Sequence, residues 1–288
     1  MLESLFSPRE RREHEIAIQA QQVALNLFPT GRVEPEVIAE KTGIEYCYDS
    51  FSDEVDGILL PADGRFFIVC NERRARRGSA RSRFTFAHEL GHYFIAEHRE
   101  ALVSGRMPAQ FSLAEFVSNR PVEREADVFA ANLLMPYVAF VDRLPGGKCG
   151  LAEVRSQAEY FGTSVTATAF RALDTDLLPA PAAVLRWDRT GRLLGRRVAR
   201  TWSFRHGRIL QLVASAPPGT VTAEVLGCLA TGSRSGRSDC FTWFDGLLYA
   251  DEPDNLPLCE EVMALGKFGL PHPDLSRGTD LTGLPRPR

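Results

Sequence analysis

Cysteine is sparse and dispersed in this chain. Cys47, Cys70, Cys149, Cys228, Cys240 and Cys259 include no C-x-x-C pair. That argues against a cysteine-rich zinc site and suits free thiols in a reducing compartment. Long apolar runs are also missing, since no stretch approaches the roughly 18 residues a membrane span requires. Residues 1–15 are charged and carry no apolar segment of the secretory kind. The expectation is a soluble cytoplasmic protein with no membrane partner. Neither sign of charge prevails: 34 Lys and Arg stand against 37 Asp and Glu, a net −3. The molecule as a whole is therefore not an electrostatic binder of nucleic acid. Histidine is scarce as well, 6 in 288 residues, so two of them in a patterned position carry weight.

Two of the six stand in such a pattern. His88-Glu89-Leu90-Gly91-His92 lies in a stretch with few helix breakers, Arg83 to Phe94. Residues four apart share a helix face, so both imidazoles can reach one tetrahedral cation. Neutral imidazole nitrogen suits Zn²⁺. Glu89 sits one step round the helix, where it can act as a general base without being a ligand. Phe86, Leu90 and Phe94 repeat every four residues and would bury the adjacent stripe.

A third ligand is offered by Glu123 to Pro136, an Ala/Leu-rich segment acidic at its start and closed by proline. Glu123 and Asp127 share a face there. Glu123 fits as the ligand that completes a His, His, Glu site with one position left for water. Asp127 fits as the acceptor that orients a liganding histidine. Glu125 points elsewhere on a helix but remains the rival ligand. His98, six residues after His92, falls off the ligand face and is expected at the surface. Tyr93 also points off that face.

The remainder reads as an α+β chain, long enough for one large domain or two ordinary ones. Helices are expected from about Arg9 to Leu27 and from Glu34 to Thr42, the second opened by Pro35 and stopped by Gly43. Strands follow at Ile44–Tyr48, Val55–Leu60 and Arg65–Cys70, the last two joined by a turn at Ala62-Asp63-Gly64. They predict a small, mainly antiparallel sheet. Between sheet and metal helix, six arginines crowd into Arg73 to Arg83. They form either a solvated loop or a basic rim for a polar substrate or a phosphate backbone, with Arg74, Arg77 and Arg81 as candidates for substrate binding. A partly ordered loop with a short helix near Ser112–Val117 should lead to Glu123.

Leu144-Pro145-Gly146-Gly147 reads as a turn. Beyond it, Leu151–Tyr160 and Ser164–Leu173, split by Phe161-Gly162-Thr163, resemble a helix-turn-helix. The second of these helices holds one arginine, Arg171, which favours a structural pair over a DNA reader. Leu177 to Ala182 reads as a linker. Strands are then expected at Ala183–Trp187, Ile209–Val213, Cys240–Phe244 and Leu247–Ala250, with a turn at Asp188–Arg192 and a loose tail from Pro271.

Three segments together resemble the ImmA/IrrE zinc peptidases. Arg83-Phe84-Thr85-Phe86-Ala87-His88-Glu89-Leu90-Gly91-His92 is similar to the family's R-F-T-x-A-H-E-x-G-H. Glu123-x-x-Ala126-Asp127-x-Phe129-Ala130 through Leu133-Leu134-Met135-Pro136 is similar to its E-x-x-A-[ND]-x-F-A-x-x-L-L-M-P. Ile68-Val69-Cys70-Asn71 matches the preceding strand. The resemblance implies a zincin-like, thermolysin-like minimal core in which His88, His92 and Glu123 bind zinc (or manganese), Glu89 is the base and Asp127 stands behind a histidine. It implies an endopeptidase acting on a phage-repressor-type helix-turn-helix regulator in a stress or mobile-element response. The radiation-response branch further implies a division into a peptidase domain (1–143), a helix-turn-helix-like segment (144–178), a GAF-like sensory domain (179–270) and a tail (271–288). A DNA-binding or sensory regulator with a vestigial or structural metal site is the alternative.

Overall fold

The structure is a computed structural model that describes residues 7–29, 31–51, 54–106, 110–112, 121–144, 149–178, 182–188, 190–198, 211–212, 215–227, 233–239, 244–245 and 257–263. The expected helix near Val117, the Pro145-Gly146-Gly147 turn, the strand at Leu247–Ala250, the tail, and most of the strands at Ile209–Val213 and Cys240–Phe244 lie outside those residues.

Helix α1 (Pro8–Leu27) starts where Ser7 and Glu10 form a reciprocal capping box, with Pro8 in the first turn. Its buried side is formed by Ile16, Ala20 and Ala24, at helical spacing. Helix α2 (Pro35–Thr42) stops at Gly43, whose φ of +73° is open to glycine at little cost. Strands β1 (Glu45–Asp49), β2 (Gly57–Ala62) and β3 (Arg65–Asn71) follow. Asp63 and Gly64 take φ of 50° and 75°, the conformation that closes a two-residue hairpin between β2 and β3.

The sheet has the order β1-β3-β2-β4, where β4 is Gln110–Ser112. It is mainly antiparallel, as expected, with one parallel pairing, β1 on β3, in which Glu45 lies opposite Phe67. The hairpin places β2 on one side of β3, so β1 can reach only the other. Ser112, expected to open a short helix, instead pairs with Gly57.

Helix α3 (Ala80–Phe94) is capped by Ser79, which accepts from the Ser82 amide at 3.2 Å. Ile95 then takes an extended backbone (φ −72°, ψ 110°), and α4 (Ala96–Val103) begins in a new direction. Helix α5 (Pro121–Leu134) packs on both α3 and α1. The contact with α3 is close. A Cβ on Gly91 would lie 3.2 Å from the Ala126 Cα, the Ala126 carbonyl and the Phe129 Cβ. The rings of Phe94 and Phe129 stack beside it, 5.6 Å apart.

After α6 (Tyr137–Val141) come α7 (Leu151–Phe161) and α8 (Val165–Asp174), separated by Gly162 at φ +63° and capped by Ser164. Val154, Phe161 and Ala172 from this pair join the same hydrophobic cluster as Ile16, Leu59, Phe86 and Leu133. Phe161 lies parallel to Phe140, with centroids 5.8 Å apart. The helix pair thus shares the core of the elements before it.

The chain divides into two compact units, Met1–Arg186 with Gly195–Ile209, and Trp187–Leu194 with Leu210–Arg288. Strands β5 (Ala183–Trp187) and β6 (Leu193–Val198) pair as a two-stranded sheet. In the second unit Asp188 Oδ1 accepts from the amides of Thr190 and Arg192 at 2.8 and 3.0 Å, which makes the expected turn. That unit also holds β7 (Gln211–Leu212) paired with β9 (Phe244–Asp245). Strand β8 (Ser233–Asp239) pairs with β10 (Pro257–Met263) in an antiparallel ribbon, and α9 (Val221–Gly227) packs on it. Mixed helices and small sheets make the chain α+β. Among the described residues, no helix is long and apolar enough to cross a membrane.

Candidate metal centre

One buried point collects the unusual side chains. His88, Glu89 and His92 lie on α3 at 6%, 0% and 0% exposure, and Glu123 in the first turn of α5 at 9%. His88 Nε2 is 3.1 Å from His92 Nε2 and 3.2 Å from Glu123 Oε2; His92 Nε2 is 3.8 Å from the same oxygen. Two nitrogens bound to one tetrahedral zinc at about 2.0–2.1 Å stand roughly 3.3 Å apart. The spacing of these three donors therefore fits a shared divalent ion, and their chemistry, two imidazoles and a carboxylate, fits it too. Among the described residues this is the single group of its kind. The close contact of Gly91 with Ala126 lets α5 bring Glu123 within reach.

Asp127, one turn after Glu123, receives a hydrogen bond from His88 Nδ1 at 2.8 Å, which turns Nε2 toward the donor cluster. Glu125 points away from the cluster. Its Oε2 receives His98 Nε2 at 3.2 Å and Arg12 Nε at 3.3 Å. His98 is not at the surface as its spacing suggested but 4% exposed, because the chain bends at Ile95 and α4 folds it back toward His92. Sequence spacing missed it by assuming one continuous helix.

The electrostatics follow from this crowding. Burial opposes charge on His88, but the hydrogen bonds to Asp127 and Glu123 prevail and raise its pKa to about 10. Burial lowers His92 to about 4, the neighbouring His88 adding to the effect. Burial would raise Glu123, yet the two imidazoles hold it well below the usual carboxylate range. Of the three groups His88 is the one that takes up the extra proton and its positive charge, with which a divalent cation would compete.

Strand β2 runs past Glu89. A Cβ on Gly57 would come 2.5 Å from Thr85 Cγ2 and 3.0 Å from Glu89 Oε1, so only glycine leaves the Glu89 carboxylate where it is. The residue before it, Asp56, is buried and receives Arg74 Nε at 2.9 Å and Arg81 Nε at 3.0 Å. Arg77 covers the ring of Tyr48, 4.7 Å from its centroid. Arg83 is buried, donating to Glu34 and to the Val33 carbonyl at 2.5 Å each. The arginine run is thus tied into the fold at several points, through partners distant in sequence.

The sequence profile of the IrrE N-terminal-like domain, a peptidase family, matches residues 39–173. This segment belongs to the ImmA/IrrE family. The match spans α3, α5 and the α7–α8 pair, and so includes the whole donor cluster. A comparison with curated proteins returns no match. Among solved structures, a Mycobacterium tuberculosis transcriptional regulator is similar, with 14% identity and a TM-score of 0.50 over 88% of this chain and 79% of that one. At that identity the likeness concerns the fold.

Proposed function

We propose that this protein is a zinc-dependent endopeptidase with a zincin-like core, and that it cleaves a helix-turn-helix transcriptional repressor to relieve repression in a stress or mobile-element response. The observation that carries the proposal is the convergence of His88, His92 and Glu123 with the buried carboxylate of Glu89 beside them. His88, His92 and Glu123 would hold the ion, and Asp127 would orient His88. When bound, zinc (or manganese in its place) supplies Lewis-acid polarisation of a carbonyl and acidifies water. Glu89 takes the proton from the attacking water and delivers it to the leaving amine. Strand β2 passes close to the Glu89 carboxylate at Gly57, where an added Cβ would come 3.0 Å from Glu89 Oε1.

Arg74, Arg77 and Arg81 serve as a rim for a polar peptide. Asp56, on which two of them converge, immediately precedes the strand residue that touches Glu89, which supports the assignment. Residues 179–270 would form the GAF-like sensory domain. The family match supports the peptidase reading, and the name of the structurally similar protein, a transcriptional regulator, is in keeping with a regulatory setting. Direct DNA reading by α8 is disfavoured, because Arg171 turns inward and donates to the Met135 carbonyl at 3.1 Å.

Co-expression with helix-turn-helix repressors from the same genome tests the proposal. Wild type should yield a truncated repressor and Glu89→Gln an intact one, with the metal retained in both. Cleavage by Glu89→Gln would remove Glu89 from the reaction, and an intact repressor in every wild-type pairing would remove the substrate class.

A further inference from the structure

The two imidazoles of the donor cluster are supported differently. His88 Nδ1 meets a carboxylate directly, Asp127 Oδ1 at 2.8 Å. His92 Nδ1 meets another ring nitrogen, His98 Nδ1 at 3.2 Å, and His98 Nε2 in turn meets Glu125 Oε2 at 3.2 Å. Arg12 of α1 donates to the same Glu125 oxygen at 3.3 Å and pairs with Glu97 at 2.9 Å.

Proton accounting fixes the direction of this chain. His92 Nε2 faces the other donors and must offer a lone pair to bind a cation, so its proton resides on Nδ1. That N–H requires an acceptor, since the ring is fully buried. His98 Nδ1 can accept only if His98 is neutral with its own proton on Nε2, and Glu125 is placed to receive that proton's hydrogen bond.

We propose that His98 and Glu125 are positioning residues for metal binding, a carboxylate acting on His92 through an intervening imidazole. Helix α5 thereby supplies three carboxylates to one cation: Glu123 as ligand, Asp127 behind His88, and Glu125 behind His98 and His92. Glu125 lies on another side of α5 from Glu123, and the bend at Ile95 carries His98 across that gap. The inference rests on the metal-binding reading of the cluster and not on the peptidase activity.

Zinc affinity, measured by competition with a chromophoric chelator, tests it in the full chain. His98→Phe keeps the ring and removes the acceptor, and should bind zinc about 10–100-fold more weakly. His98→Asn, which returns an acceptor oxygen near the Nδ1 position, should recover most of the loss, an outcome that filling space alone would not give. Ring-nitrogen NMR of the zinc-loaded wild type adds a readout independent of any variant: His98 should be neutral with its proton on Nε2. A proton on His98 Nδ1, or a His98→Phe protein with wild-type affinity, overturns the inference alone. A wild type that binds no zinc, or a His88→Ala variant that binds it equally well, overturns the metal reading and the inference with it.

Discussion

Helices α3 and α5 on one side, and α7 and α8 on the other, are built with the same devices: serine caps at Ser79 and Ser164, glycines at Gly91 and Gly162, and packing into one hydrophobic cluster. Their buried polar groups differ in what they face. In α7–α8, Gln157 donates to the Phe140 carbonyl, Thr168 to the Ser164 carbonyl and Arg171 to the Met135 carbonyl. Those bonds tie side chains to the main chain and satisfy buried polar groups. In α3–α5, by contrast, His88, His92 and Glu123 face one another. Burying such groups is costly, and nothing in the packing requires it. The difference teaches that buried polarity points to chemistry when it is aimed at a shared point and to architecture when it is aimed at the main chain.

The largest test of that contrast is Glu89→Gln, which should lower cleavage about 10²–10⁴-fold while leaving zinc content unchanged. Gly57→Ala acts on the same carboxylate from the strand side. Its methyl would push Thr85 and Glu89, so repressor cleavage in the co-expression assay should drop further than zinc affinity does.

Gly91→Ala comes next, because its methyl would press on the Ala126 backbone. Separating α3 from α5 should cost about 1–3 kcal/mol of stability in denaturant titration and weaken zinc binding as well.

The pH dependence sharpens the comparison further. His88 is raised from 6.5 to about 10, so the stability it lends to the metal-free protein is complete below pH 6.5 and lost as pH rises toward 10. His92 is lowered from 6.5 to about 4, so acidification across that interval favours the unfolded chain, which accepts the proton that the folded one refuses. Thermal melts with a chelator should therefore show highest stability near pH 6.5. Zinc affinity should rise above that pH, since the ion displaces the His88 proton. Melts of His88→Ala should lose the alkaline decline.

The smallest effect belongs to α8. Ser164→Ala removes a cap and should cost about 1 kcal/mol in thermal unfolding, with zinc affinity unmoved. A loss of affinity there would blur the line between the two helix pairs.

Much of the first unit was legible in the sequence, where the cues are local. The helix containing His88 and His92 follows from a period of 3.6, and the shared face of Glu123 and Asp127 from spacing alone. The β2–β3 hairpin follows from Asp63-Gly64, which take the two positive φ values. What stayed hidden depends on partners far apart in the chain. The parallel pairing of β1 with β3 joins Glu45 to Phe67 across the intervening strand. The anchoring of the arginine run was hidden because Asp56 and Glu34, which receive Arg74, Arg81 and Arg83, lie elsewhere in sequence. His98 was misplaced because one extended residue, Ile95, resets the helical phase.

Zinc stoichiometry of the purified protein and its variants tests the central claim most directly. Wild type and Glu89→Gln should each carry one equivalent, and His88→Ala and Glu123→Ala should carry almost none. A full equivalent in Glu123→Ala, or none in wild type after incubation with zinc, would contradict the assignment of these three side chains to one ion.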